Sequence, residues 1–167
     1  MQTIAQDWVA KWAMYSPHKP AVKEYETGRS LTYGELNRLA NRLARHLSTT
    51  YGIQKGDRIA LLAENCNEYF ILFAVAQKTG CILVPMNYRL AGAEIDYLIH
   101  NSEPSLLIVE SKFQHLLDAA PSAAAVPHHW TFEALADFCH PATQADDDQP
   151  FPLVPVDDND PVFILYT

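Results

Sequence analysis

Asn87, Tyr88 and Arg89 form a polar turn directly after an apolar run, Cys81-Ile82-Leu83-Val84, that Pro85 closes. A continuous run of this kind is the pattern of a parallel strand covered on both faces. Ligands of open parallel sheets sit beyond the carboxyl ends of strands, so chemistry in this chain belongs on Pro85 to Leu90. Other chemistry-bearing groups carry weaker signals. Arg38, Arg42 and Arg45, with Asn37, lie opposite an apolar helical stripe; they read either as a phosphate-binding surface or as a solvated face, and the spacing favours the face. Asp146, Asp147, Asp148, Asp157, Asp158 and Asp160 lack the alternate spacing of a calcium loop. His115, His128, His129 and His140 show no metal-ligand spacing and read as surface or loop residues. Neither G-x-G-x-x-G nor G-x-x-x-x-G-K-[ST] occurs, which disfavours a dinucleotide enzyme and a P-loop nucleotidase.

The elements that must position the turn follow from periodicity and capping. Thr3 and Gln6 have capping-box spacing ahead of a helix in which Ile4, Trp8 and Trp12 recur every fourth residue, the two Trp packing it onto the body. Ala21 to Tyr25 and Ser30 to Thr32 read as a strand pair around Thr27-Gly28. Thr32-Tyr33-Gly34-Glu35 is a second capping box, opening a helix whose buried face is Leu36, Leu39, Ala40, Leu43, Ala44 and Leu47. Arg58 to Ala63 is a buried strand, and Asn65 and Glu68 cap the next helix, with Tyr69, Leu72, Phe73 and Ala76 inward. Gly80 ends that helix in a left-handed conformation. After the strand at Cys81, a helix from Ala91 to His100 turns Ile95, Leu98 and Ile99 inward, and Leu106 to Val109 is a third strand. The result is an α/β fold: a βαβαβ unit with a parallel sheet.

Residues 121–160 are rich in proline, alanine and aspartate and read as a connecting segment, with a short helix over Thr131 to Phe138 and Asp146 to Asp148 in an exposed loop. Val162 to Thr167 is a last apolar strand. An apolar strand belongs in a sheet interior, whereas termini are usually exposed, so the expectation is that this chain is a piece of something longer.

The 167 residues are one domain's worth, 49% hydrophobic and 19% charged, which is a globular balance. A formal net charge of −8 argues against a general nucleic-acid binder. Cys66, Cys81 and Cys139 are odd in number and form no C-x-x-C, so neither a disulfide framework nor a zinc site is expected and a reducing cytoplasm fits. The start carries no basic segment followed by an apolar one, and no apolar run approaches the ~20 residues of a bilayer span, so a soluble cytoplasmic protein is expected.

Read together, several segments resemble the N-terminal part of the acyl- and aryl-CoA synthetases of the adenylate-forming (AMP-binding) superfamily. They are Leu31-Thr32-Tyr33-Gly34-Glu35-Leu36, Gly56-Asp57-Arg58-Ile59-Ala60, Gln77 to Asn87 with its G-x-x-x-V-P-x-N pattern, Tyr88-Arg89-Leu90, and Asp160 to Thr167. The last is similar to the strand that introduces the family's phosphate loop; that loop, ending in Lys, would follow Thr167. The resemblance spans nearly the whole chain, 1–167, in the right order. It implies a two-step ligase, in which a carboxylate and ATP give an acyl-adenylate with Mg²⁺ balancing phosphate charge, and a thiol, usually that of CoA, then displaces AMP. It further implies that Thr167 lies at the edge of the ATP phosphate loop and that Arg89 meets CoA phosphate. The alternative for Arg89 is a surface salt bridge or a turn-stabilising contact; for Thr167 it is a plain strand end. No catalytic residue and no metal ligand is assigned within the chain. By itself the chain is expected to be inactive and to self-associate through its last strand. A non-catalytic α/β binding or interaction module is the other reading, since fold does not fix function.

Overall fold

The computed structural model describes residues 7–140 and 149–167. The chain opens with α1 (Trp8–Tyr15), a hairpin of β1 (Pro20–Lys23) and β2 (Ser30–Thr32), and the long α2 (Tyr33–Thr50). Then come β3 (Arg58–Leu62), α3 (Asn67–Thr79), β4 (Ile82–Pro85), α4 (Gly92–Ser102), β5 (Leu106–Val109), α5 (Gln114–Leu117), β6 (His128–Thr131) and α6 (Phe132–Phe138). Strands β3 to β6 form one parallel sheet in the order β4-β3-β5-β6, and β1 pairs antiparallel with β2. The expected βαβαβ unit is present.

Strand alternation divides the core in two. Ile59, Leu61, Leu83, Leu106 and Ile108 meet Leu39, Leu43 and Leu47 of α2 and Leu72 and Val75 of α3. Ala60, Leu62, Val84, Leu107 and Val109 meet Ile95, Leu98 and Ile99 of α4 and Leu117 of α5. The strands are therefore apolar at every position because both faces are covered. Each such fully buried Leu or Ile contributes about 1.5–3 kcal/mol relative to exposure.

Local signals explain the helix ends. Glu35 N–H donates to Thr32 Oγ1 at 3.2 Å, and Thr32 N–H donates to Glu35 Oε2 at 2.8 Å, the expected capping box of α2. The Thr32 N–H and hydroxyl hold the Glu35 carboxyl below the usual carboxylate range. Gly80 ends α3 at φ 72°, a conformation only glycine takes at no steric cost. Gly92 opens α4 where an added Cβ would stand 2.5 Å from Ala119 Cβ, so the close approach of the segment after α5 requires glycine there.

Several expectations are corrected. Asp7 caps α1, accepting from Ala10 N–H at 2.9 Å; Thr3, Ile4 and Gln6, with the expected capping box, lie outside the described residues. Val9 of α1 is buried and Trp8 is 63% exposed, so of the two Trp it is Trp12, with its ring centroid 6.1 Å from that of Tyr33 of α2, that packs the helix onto the body. In α3, Asn65 and Glu68 do not cap; Cys66 is the N-cap position and offers no side-chain bond. Glu24, on the loop of the β1–β2 hairpin, accepts from Asn67 N–H at 2.8 Å instead. Arg29 of the same loop holds the buried Glu68 at 2.6 Å and Glu24 at 2.9 Å. A carboxylate at the positive end of the helix dipole serves the same purpose from another element. The buried face of α3 is also broader than expected, including Ile71, Ala74 and Val75, while Tyr69 and Phe73 are half-buried.

The polar face of α2 is not simply solvated. Asn37 accepts from Lys78 Nζ at 2.7 Å, Arg42 lies 4.3 Å from the Phe138 ring centroid, and Arg45 donates to the Gln149 carbonyl. Helix α4 runs on to Ser102 rather than ending at Asn101, and Glu103 terminates it in a left-handed conformation at φ 45°. His128 and His129 are not loop residues but belong to β6, paired with Leu106 and Leu107. The connecting segment 121–160 thus contributes a strand and a helix to the body; Asp146, Asp147 and Asp148 lie outside the described residues. Val162 to Thr167 does not form an interior strand. It runs extended along β4 with one parallel bridge, Leu83 N–H to Val162 O and Ile164 N–H to Leu83 O, both 2.9 Å. Ile164 and Tyr166 are half-buried, whereas Phe163 and Leu165 are exposed, Phe163 nonetheless stacking on Phe73 of α3 with centroids 5.7 Å apart. Among the described residues no helix is long and apolar enough to cross a membrane.

Candidate functional site

The register pairs Leu61 with Pro85 and Leu62 with Val109, so β3, β4 and β5 end together. At that carboxyl edge lie Ala63-Glu64, Met86 to Leu90 and Glu110 to Phe113. The chain passes from β3 to β4 on one side and then crosses to β5 on the other, which makes the β3–β5 crevice the topological switch point. Charged side chains of the protein line it. Glu110 Oε2 accepts from Glu64 N–H at 3.0 Å, and Lys112 Nζ bridges Glu64 at 2.7 Å and Glu110 at 2.9 Å. Glu133, at the start of α6, accepts from Ser111 N–H at 2.9 Å. Hydrogen bonds to Glu64 and Glu110 hold the Lys112 ammonium above its ordinary range. Three carboxylates against one ammonium give this crevice a negative field, which opposes a phosphate group there.

Among the described residues, a cation able to meet an anion lies one strand away, on the turn after β4. Asn87 organises the turn after β4: its side-chain oxygen accepts from Arg89 N–H at 3.0 Å and its carbonyl from Leu90 N–H at 3.1 Å. Arg89 is exposed and has no ion pair among the described residues. Its guanidinium carbon lies 5.5 Å from the Tyr88 ring centroid. Tyr88 in turn stacks on Phe113, with centroids 4.8 Å apart and planes 17° from parallel, and Lys112 Nζ lies 5.1 Å from the Phe113 centroid. Periodicity alone did not mark Tyr88, Phe113 or Lys112. The available signal was an aromatic residue just past each of two strands expected to end at the same edge.

Thr167 is exposed, four residues beyond the bridged Phe163, as Asn87 is four beyond its partner Leu83. Thr167 and Arg89 share no hydrogen bond, and Tyr166 ties this segment to α4 by donating to Asn101 Oδ1 at 2.7 Å. Burial pushes the Cys66 and Cys139 thiols up to about 12 and that of Cys81 to about 11, so none supplies a thiolate at neutral pH. No group of three or more His, Cys, Asp or Glu placed to hold a metal occurs among the described residues. A shallow cavity of about 400 Å³, lined by Ser48, Lys55, Thr79, Phe151 and Val154 among others, opens beside the loop before β3, at the amino edge and away from the turn.

Residues 9–167 match the protein family described as AMP-binding enzyme. The chain belongs to the AMP-binding enzyme family. This family member is 36% identical over 159 residues to the long-chain-fatty-acid–CoA ligase FadD13 of Mycobacterium tuberculosis, a match covering 93% of the chain and 30% of that protein. It is 37% identical over 124 residues to the fatty acid–[acyl-carrier-protein] ligase ScoC of Streptomyces coeruleorubidus, covering 74% of the chain and 23% of ScoC. Its fold matches the crystal structure of the N-terminal domain of FACL13 from Mycobacterium tuberculosis with a TM-score of 0.82 at 34% identity, over 100% of this chain and 42% of that one. The chain thus spans about 30% of the length of FadD13.

Proposed function

We propose that this chain is the N-terminal portion of an ATP-dependent acid–thiol ligase of the acyl-CoA synthetase type. The observation that carries this reading is the 36% identity to a long-chain-fatty-acid–CoA ligase over 93% of the chain. In the proposed reaction a carboxylate oxygen attacks the α-phosphorus of ATP and pyrophosphate leaves, giving an acyl-adenylate. A thiol sulfur then attacks the acyl carbon, forming the thioester as AMP departs and the thiol proton is released. The first step turns a poor acyl donor into one with a good leaving group, and Mg²⁺ supplies charge neutralisation at the phosphates. CoA is the proposed thiol; ScoC, a ligase to an acyl-carrier protein, sets a carrier thiol beside it as the alternative acceptor.

The chain's own part is positional. Arg89, exposed and without an ion pair among the described residues, fits a phosphate of CoA, because a guanidinium presents fixed, permanently charged donors. Thr167 is assigned to the edge of a phosphate loop that begins after it in the full-length ligase. The acid is a fatty acid in this reading, the setting is the cytoplasm, and neither nucleic acid nor a transmembrane segment is involved. Residues 1–167 alone are inactive and self-associate along the Val162 to Thr167 edge, where Phe163 and Leu165 are exposed.

The test is ATP–pyrophosphate exchange across fatty and aromatic acids, run on the full-length ligase and on residues 1–167. Acid-dependent exchange in the former with none in the latter is expected. Absence of exchange with every acid in a folded full-length protein overturns the ligase reading, and exchange by residues 1–167 overturns the assignment of the chemistry to the remainder. Light scattering of residues 1–167 tests self-association, and a strictly monomeric species overturns that part.

A further inference from the structure

We infer that Tyr88 and Phe113 form a pedestal that positions Arg89, making Tyr88 a positioning residue for capture of a phosphorylated nucleotide; the inference rests on the proposed role of Arg89. An exposed arginine on a turn samples many rotamers, and holding it in one of them reduces what anion binding must later restrict. Here the pile is continuous. Glu64 and Glu110 fix Lys112 at 2.7 and 2.9 Å, Lys112 Nζ lies 5.1 Å from the Phe113 centroid, Phe113 stacks on Tyr88 at 4.8 Å, and the Arg89 guanidinium carbon lies 5.5 Å from Tyr88. Both cation–ring separations fall within the ~6 Å reach of a cation–π contact.

The pile starts in the switch-point crevice and ends at the turn after β4, so it spans the carboxyl edge of the sheet. Tyr88 and Phe113 are half-buried and also pack on the core beneath α4, which keeps the rings from turning with the turn itself. The Arg89 backbone is fixed separately by its bond to Asn87 Oδ1 at 3.0 Å. Backbone and side chain are thus held by different neighbours, and the guanidinium edge is left to a ligand. The class of ligand this suits is a nucleotide carrying a terminal phosphate monoester, with the guanidinium donating to its oxygens.

The experiment measures binding of adenosine 3′,5′-bisphosphate to the full-length ligase by calorimetry, alongside the KM for CoA, in Tyr88→Leu, Tyr88→Phe, Arg89→Ala and Tyr88→Leu/Arg89→Ala. ATP–pyrophosphate exchange in each variant monitors folding. Loss of an exposed cation–π contact corresponds to about two- to five-fold, so Tyr88→Leu should weaken bisphosphate binding and raise the KM for CoA by that factor. Exchange should be unchanged, Tyr88→Phe should bind as wild type, and the double variant should be no weaker than Arg89→Ala. Wild-type binding by Tyr88→Leu with loss in Arg89→Ala overturns the pedestal and leaves the Arg89 assignment intact. Additive losses overturn it also, since Tyr88 would then act on its own. Wild-type binding by Arg89→Ala overturns the Arg89 assignment and the pedestal with it.

Discussion

Lys78 is an ammonium inside the protein, and removing its charged partner or the ammonium itself should have unequal consequences. Its side chain is 5% exposed and meets Asp7 Oδ2 at 2.6 Å and Asn37 Oδ1 at 2.7 Å, joining α1, α2 and α3 at one point. The Asp7 carboxylate is 18% exposed and uses its other oxygen to cap α1. Asp7→Asn keeps a good capping side chain, so it isolates the charge: the ammonium stays buried with neutral partners only. Breaking a buried pair in this way costs about 3–5 kcal/mol, and the retained Asn37 oxygen places the expected loss near the lower end, about 3 kcal/mol. Lys78→Met removes the buried charge, fills most of the stem's volume and leaves a carboxylate that reaches water and still caps α1. That change should cost about 1 kcal/mol. With an m-value of about 2 kcal/mol/M in urea, the midpoints should fall by about 1.5 M and about 0.5 M. Urea titrations followed by far-ultraviolet circular dichroism and tryptophan fluorescence read both. If Lys78→Met proves the costlier variant, the clamp works by packing and the buried-ammonium reasoning fails.

Three further outcomes are expected. Gly92→Ala should lower stability by about 1–3 kcal/mol, because its Cβ would meet Ala119 Cβ at 2.5 Å; a thermal midpoint equal to wild type would show that the neighbouring segment yields freely. Thr32→Ala should cost about 1 kcal/mol through loss of the α2 capping box, visible as a lower urea midpoint with unchanged slope. His46 is half-buried, stacks on Phe138 at 4.7 Å and has its pKa lowered by burial and by Arg42. Because the unfolded chain then binds the proton more readily, stability should fall as pH drops through about 6.5 and level off below the folded-state value. His46→Gln should remove that component, so a wild-type-minus-variant difference that is flat from pH 7.5 to 5 would refute it.

Features set by near neighbours in sequence were legible before the structure. The Thr32–Glu35 box, the leucine stripe of α2, the left-handed Gly80 and the three apolar strands each follow from spacing within one or two turns. Legibility failed where a distant residue takes the role. The cap of α3 comes from Glu24, a partner of the buried Lys78 from Asn37, and the support of Arg89 from Phe113, none of which periodicity can pair. Helix α1 misled in part because Trp8 faces outward while Val9 is buried, so only Trp12 of the aromatic repeat meets the body, at Tyr33. Strand β6 was hidden because His128-His129-Trp130-Thr131 is short, half-buried and set among prolines. Of the candidate site, the turn itself was legible from its place after a buried strand, whereas the stacked rings under it depend on which strands end together.

The cap that α3 borrows has a bearing on how the chain is made. Asn67 N–H is met by Glu24, 43 positions earlier, and Glu68 by Arg29 of the same hairpin loop. A ribosome releases the chain from its amino end, so Glu24 and Arg29 are already outside the exit tunnel when the first turn of α3 emerges. The helix therefore meets its terminating carboxylate on arrival and need not wait for any later part of the chain. Placing the hairpin after α3 in the chain would reverse that order of delivery.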